Sequence, residues 1–529
     1  MHKIKKALLF FLSLLLMGCA ILPEGGAQNS ENTFTSMETE PDLSYEVPDS
    51  SPNIYVNQLG YIPQGTKVAI FSGKELPERF HVVRKDTGEI AYTGYLEDNG
   101  YYDDTQEYNS YGDFTDFCEP GTYYIEAPMI GRSYSFMIGE DLYRDVFWEA
   151  CRQYYYNRCG MTLTRQYAGE RGHNACHTGK ALLREDISVS IDVSGGWHQD
   201  ESGSKAVEPA ARSIAMILLA YELYGDAFTD DMGIPESGND IPDILDEVRY
   251  EVEWLLKMQD DATGAVYSGV TTYDQGAGRG AVSYVEPADL EAARAFAMVL
   301  AKFSYLYQYY DTEYATECLK AADRAWRYAK LNEEEEVKTD SWKFAAAAEL
   351  YKASGKQECN RYISEYLSEG GYGETIDEVV FLGCVTYIST KQPVKLPLCE
   401  DIIDILMKKA EDISERARNS VFLTGGTDDQ DNNQELLMNM MYMTLVNHII
   451  SNHEYENIIE NHLHYFGGRN KKAISYIDDV GENNYRLIDE NLGIMKRFDA
   501  DSKFIFMLSG IVSSHENDSS HGNDSFQGK

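Results

Sequence analysis

Positive charge is scarce in this chain. Its 529 residues carry 46 Lys and Arg against 87 Asp and Glu, a formal charge of -41. So negative a surface repels phosphate backbones and anionic lipid, which argues against nucleic acid or peripheral membrane as partners and leaves neutral polymers such as glycans unopposed. Nine cysteines show no dense framework spacing; those at 118, 151, 318, 359, 384 and 399 read mostly as buried thiols within helical patterns. No fixed sequence period repeats, which disfavours a helical solenoid.

The first residues, MHKIKKALLFFLSLLLMGC, combine a basic start with an apolar run too short to span well. This resembles a bacterial lipoprotein signal, in which Cys19 is acylated and becomes the mature N-terminus; an ordinary cleaved signal with an incidental Cys is the alternative. Residues 20–52, rich in Ser, Glu, Pro and Thr, read as a flexible tether. Together these place the protein on the extracellular face of the cell membrane, touching the bilayer only through lipid; it is expected to be a monomer.

Between residues 53 and 140, short alternating segments such as IYVNQLGYIP, KVAIF, FHVVRK, GTYYIEAP and RSYSFMIG are separated by turn residues and predict a small antiparallel sandwich. From Asp141 the period becomes helical. Twelve helices are predicted: 141–158, 205–224, 241–259, 287–309, 312–329, 342–353, 357–367, 375–387, 399–416, 432–450, 454–466 and 500–511. In IPDILDEVRYEVEWLLKMQ, Ile244, Leu245, Val248, Val252, Leu255 and Leu256 recur at three and four, giving one buried face. Twelve helices over 141–512 suit an (α/α)6 barrel, so the fold class is mainly α behind a small β-sandwich. Residues 513–529 read as a disordered polar tail.

The chemistry-bearing residues gather around DVSGGWHQDESGSK, Asp192 to Lys205. Gly195 and Gly196 permit a tight bend or a close approach, Trp197 offers a flat apolar face, and His198, Asp200 and Glu201 offer a ligand or proton-transfer groups. The plainer alternative is a solvated surface loop whose Trp caps the core. Cys159, Cys176, His177 and His198 are the two thiolates and two imidazoles that a tetrahedral structural zinc prefers. Their alternative is a Cys159–Cys176 disulfide with unrelated histidines. Asp428, Asp429, Asp431, Asn432 and Asn433 cluster enough oxygens for calcium, although an acid-rich helix cap is the preferred reading.

In order along the chain, YVNQLGYIP at 55, GTYYIEAPMIGRSYSFMIG at 121, YYYNRCG at 154, NACHTG at 174, DVSGGW at 192, IPDILDEVRYEVEWLLKMQ at 241 and HYFGGRN at 464 resemble glycoside hydrolase family 9. That resemblance implies an immunoglobulin-like domain before an (α/α)6 barrel, inverting cleavage of β-1,4-linked glucans, and zinc held by Cys159, Cys176, His177 and His198. Departures accompany it. The two aspartates that supply the family's base align with Gln199 and Ser202, and its acid aligns with Met495. A His-Arg sugar-binding segment is missing, because Asn470 leads straight into KKAISYIDDVG. The resemblance therefore implies catalysis rebuilt on Asp200 or Glu201 as base and Glu490 as acid, or a barrel that binds glycan without cleaving it. Trp197, Tyr267, Tyr284, Trp342 and Tyr485 are candidates to stack on sugar rings, and Arg486 to hydrogen-bond a hydroxyl.

Overall fold

Residues 53–102, 107–274, 281–333, 340–372, 376–426, 433–488, 493–495 and 498–523 are described by the computed structural model. Alternating apolar positions at the start build eight strands: β1 (Ile54–Tyr55), β2 (Val68–Gly73), β3 (Arg79–Arg84), β4 (Ile90–Tyr102), β5 (Glu107–Asp113), β6 (Gly121–Ala127), β7 (Gly131–Arg132) and β8 (Phe136–Ile138). They run in the order β1-β2-β5-β4-β3-β6-β7, with β8 also on β6. The long β4 pairs with β3 through residues 90–95 and with β5 through 96–102, so one bent strand belongs to both layers. Phe71, Phe80, Phe114, Tyr123, Ile125 and Phe136 fill the space between. β4 and β5 carry Asp, Asn and Gly where alternation would be apolar, and the sequence reading misses them.

Among the described residues, twelve helices of twelve residues or more follow: α1 (Leu142–Tyr156), α2 (Val207–Leu223), α3 (Asp243–Lys257), α4 (Leu290–Tyr307), α5 (Thr312–Asn332), α6 (Ser341–Ser354), α7 (Gln357–Ser368), α8 (Glu378–Ser389), α9 (Leu396–Asn419), α10 (Asn433–Ile449), α11 (His453–Phe466) and α12 (Phe498–Asn523). The even-numbered helices form an inner ring. α2 packs on α4, α4 on α6, α6 on α8, α10 on α12 and α12 on α2. Phe381 and Tyr442, edge to face at 5.2 Å, join α8 to α10. Inner helices such as α4 and α8 are apolar nearly all round, whereas outer ones such as α3 carry a single apolar stripe, which is why they sort into two layers. The expected (α/α)6 barrel is this closed ring.

Several boundaries differ for identifiable reasons. Lys205 and Ala206 pair with Val270 and Gly269 as a strand, which delays α2 to Val207. The carboxylates of Asp289, Asp340 and Asp377 accept from the amides of Ala292, Lys343 and Val380 and fix the starts of α4, α6 and α8. α12 runs on to Asn523, correcting the expectation of a disordered tail from 513: a helix already nucleated by its buried turns propagates into polar sequence at little cost.

A second sheet, absent from the sequence reading, sits where the inner helices begin. It contains β9 (Ala181–Leu183), β10 (Ser190–Ile191), β11 (Lys205–Ala206), β12 (Gly269–Asp274) and β13 (Ala281–Val285) in the order β10-β9-β13-β12-β11. The sandwich docks on the barrel through two of the motifs above. The Gln58 amide donates to Gly467 O at 2.8 Å, and its side chain bonds Ala473 O and the Asn483 amide, both at 2.9 Å. A side chain at Gly467 would overlap Asn57, so this close approach requires glycine.

Candidate functional site

The Asp192–Lys205 turn is held by its backbone. Cys159 N donates to Gly196 O at 2.7 Å and His198 N to Asn157 O at 2.8 Å, joining the turn to the end of α1. Gly195 and Gly196 have φ of +94° and +72°. A Cβ on Gly196 would lie 2.7 Å from the Trp254 ring and 2.8 Å from the Glu251 carboxylate, so only glycine lets the bend lie flat on α3. Trp197 is fully buried, its ring 4.6 Å from that of Tyr154. Its indole donates to Glu247 at 2.7 Å and its amide to Glu251 at 2.5 Å. Trp197 therefore offers no face to a sugar; the expectation of a stacking platform is corrected, because a large ring with one donor gains most in a dry site with one acceptor. Burial pushes the Glu251 carboxyl up to about 8, and Lys205, also buried, lies close enough to lower it in part.

Cys159 just beyond α1, the Cys176–His177 pair and His198 converge on this turn. One ligating atom from each lies within 4.8 Å of all the others. Cys176 Sγ is 3.5 Å from His198 Nε2, and the two imidazole rings are 5.2 Å apart. Bond lengths of about 2.3 Å to sulfur and about 2.0 Å to nitrogen fit an ion at the centre after a small contraction. Both cysteines are thiols. The hydrogen bond between them holds the Cys176 thiol low, helped by His198, and pushes Cys159 up. Lys205 Nζ, 3.8 Å from Cys159 Sγ, supplies positive charge beside the sulfurs. Four protein donors with no open position make a site that can hold a metal structurally.

Where the resemblance implies catalytic aspartates, the turn is satisfied by itself. Gln199 donates through Nε2 to Ala206 O at 2.8 Å and accepts from Ala206 N at 2.9 Å. Ser202 Oγ donates to Asp200 Oδ1 at 2.6 Å. Asp200 also accepts from Ser204 N at 3.0 Å. Partial burial pushes the Asp200 carboxyl up, but these bonds outweigh it and hold the group below the usual carboxylate range. Glu201 is exposed beside it. Asp489 and Glu490 lie outside the described residues, as do Cys19 and Asp428, Asp429, Asp431 and Asn432. Asn433 is the first residue of α10. Met495, at the aligned acid position, is buried among apolar side chains.

The other candidates are more committed than their sequence context suggests. Tyr485 is fully buried and its hydroxyl bonds Asp478, which removes it as a stacking platform. Arg486 is paired with Asp478 at 2.7 Å and with Asp479. Tyr267 is half-buried against the barrel core, and Trp342 is buried under Arg212. The sequence reading missed the charges at the mouth itself: Glu208 and Arg212 on the first turns of α2, Glu378 at the start of α8, and Lys503 on α12. Arg212 pairs with Glu208 and lies 3.9 Å from Glu378, which Lys503 meets at 2.7 Å. Glu208 and Arg212 stand four apart on a helix, a legible spacing; nothing in the linear sequence brings α8 and α12 to them.

Two family models match the chain. Residues 49–132 match the cellulase N-terminal ig-like domain, and residues 143–491 match glycosyl hydrolase family 9. Endoglucanase D of Acetivibrio thermocellus is 29% identical over 464 residues, spanning 81% of this chain and 73% of that protein. A metagenome-derived family 9 endoglucanase superposes with a TM-score of 0.78 at 24% identity, covering 87% of this chain and 99% of its own. A Zn-binding triple mutant of the family 9 endoglucanase J30 superposes at 0.73 with 23% identity, covering 85% and 99%. With sandwich, ring and turn all in place, the chain belongs to glycosyl hydrolase family 9.

Proposed function

We propose that this protein hydrolyses β-1,4-linked glucan or related oligosaccharides, with inversion at the anomeric carbon. The observation that carries the reading is the family match over 143–491 on a closed helical ring whose mouth lies beside the Asp192–Lys205 turn. Inversion needs a carboxylate to take the proton of an attacking water and a protonated carboxyl about 6.5–9.5 Å away to protonate the departing glycosidic oxygen. Asp200, exposed and held ionised, suits the base, with Glu201 as its neighbour; Glu490 is assigned the acid. The preparation should release reducing ends from β-1,4-glucan as the α-anomer. Full rates in both Asp200→Asn and Glu490→Gln would remove those assignments. Gln199, Ser202 and Met495 at the family's catalytic positions support a second reading, a glycan-binding scaffold, and retention on a glucan affinity gel without turnover by any preparation would select it.

The metal cluster is assigned zinc, on the softness of its donors and its closed, four-ligand geometry. Purified protein should carry about one equivalent, lost in Cys159→Ser together with thermal stability. Calcium at 428–433 stays secondary to the helix-cap reading. Cys19 is assigned as the lipid anchor, which would hold the enzyme at the outer face of the membrane; fatty-acid labelling that persists in Cys19→Ser would overturn the anchor.

A further inference from the structure

The five-stranded sheet at the mouth has two unlike faces. Ala181, Val270, Thr272 and Val285 point inward and are buried. Opposite pairing of Thr271 with Tyr284 and of Tyr273 with Val282, and the parallel register of Tyr284 beside Leu182, settle what points outward. The period of two puts Tyr273, Tyr284, Arg184 and Glu286 together on the solvent face. Arg184 donates to Glu286 at 2.5 and 3.1 Å and to the Tyr273 hydroxyl at 3.4 Å. Its guanidinium lies 4.4 Å from the centre of the Tyr284 ring and 5.6 Å from that of Tyr273. The rings stand 6.1 Å apart at 68°, and Tyr273 is 51% exposed.

We propose that this face is a glycan-binding platform at the rim of the mouth, taking a β-1,4-linked glucan chain. The proposal rests on the glucan reading above and extends it to a surface outside the Asp192–Lys205 turn. Equatorial hydroxyls leave both faces of each glucose ring as C–H surfaces, which pack on aromatic rings, while the hydroxyls both donate and accept. The Arg184–Glu286 pair offers both, and it is neutral as a unit in a chain of charge -41, which matches an uncharged polymer better than an anionic one. Because the ion pair and ring contacts fix these side chains before a ligand arrives, little rotamer entropy is lost on binding. The position suits an extended chain. β11 ends where α2 begins, and β13 ends four residues before the Asp289 cap of α4, so the sheet is continuous with the inner-ring starts.

Native affinity electrophoresis through hydroxyethyl cellulose tests this without requiring turnover. Tyr273→Ala and Arg184→Ala should each raise the apparent Kd about three- to tenfold, the scale of one lost ring contact, while Tyr273→Phe keeps the parent's retardation. Unchanged melting of the variants shows that the loss is one of binding. Parent-like retardation of both alanine variants, or a parent that is not retarded at all, would overturn the platform. A parent that is retarded yet releases no reducing ends keeps the platform and removes the hydrolase reading; a parent that releases reducing ends without retardation does the reverse.

Discussion

The same inner helices carry charge at both ends, and the two ends treat it differently. At the closed end, Lys302 on α4 is 1% exposed and bonds Glu222 of α2 at 3.0 Å, Glu349 of α6 at 3.4 Å and the Tyr305 hydroxyl at 3.3 Å. Lys352 also pairs with Glu222, Thr386 of α8 donates to Glu349 at 2.6 Å, and Tyr305 donates to Glu349 at 2.9 Å. Two lysines balance two glutamates and the charges bond within the protein. At the mouth, Glu208 and Arg212 retain about a quarter to a third of their side-chain exposure. Burial makes the closed-end network a condition of the ring, since a charge without its partner there has no water to replace it. At the mouth, Glu378 and Lys503 are buried, but water still reaches Glu208 and Arg212, and these two can meet a ligand.

The comparison can be broken at its strongest point. Lys302→Met leaves Glu222 and Glu349 short of a partner in a dry site and should cost about 3–5 kcal/mol in urea unfolding; a loss under about 1 kcal/mol would mean that the closed end is no more demanding than the mouth. Acid probes the same network. Burial pushes the Glu222 carboxyl up, but Lys302 and Lys352 outweigh it and bring it down to about 2. A carboxyl lowered on folding contributes stability above its free value near 4.5 and loses it as pH falls towards 2. That window should remove about 3 kcal/mol in the parent and much less in Glu222→Gln. Equal acid limbs in the two proteins would detach Glu222 from the effect.

Much of this architecture was legible in the sequence, and what was not has a common cause. Helix periodicity placed α1 to α11 to within a few residues because one-sided or all-round burial writes itself into local spacing. The four residues of the candidate metal cluster were visible because their donor chemistry is rare in combination. Trp197 was misjudged: its burial depends on Glu247 and Glu251, some fifty residues away, converging on a bend that sequence shows only as glycine-rich. The mouth sheet was missed for a related reason, since β11 is two residues long and pairs with β12 over a separation of more than sixty. Glu378 meets Arg212 and Lys503 only once the ring closes. Local rules read elements; they do not read which elements meet.

Chemistry at the mouth is expected to respond where stability does not. Asp200→Asn keeps the size of the side chain and its acceptor to Ser202 and Ser204, so melting should hardly change. Loss of the base charge should lower kcat about a hundredfold or more if Asp200 takes the proton of water. A Glu201→Gln variant with the larger fall would move the role one residue along the turn.

The smallest effect sharpens the contrast most. Glu208→Gln removes one partner of Arg212, as Lys302→Met removes one partner of Glu349, but here the guanidinium keeps Glu378 within 3.9 Å and has solvent within reach. A partly exposed pair four residues apart on a helix contributes about 0.3–0.5 kcal/mol, and salt weakens it further. Urea unfolding of Glu208→Gln should therefore stay within about 1 kcal/mol of the parent, with the difference shrinking in high salt. A cost of about 3 kcal/mol, insensitive to salt, would mean that the mouth charges are as dry as those of the closed end. The ring would then be locked at both ends, and the mouth would have no charge to spare for a substrate.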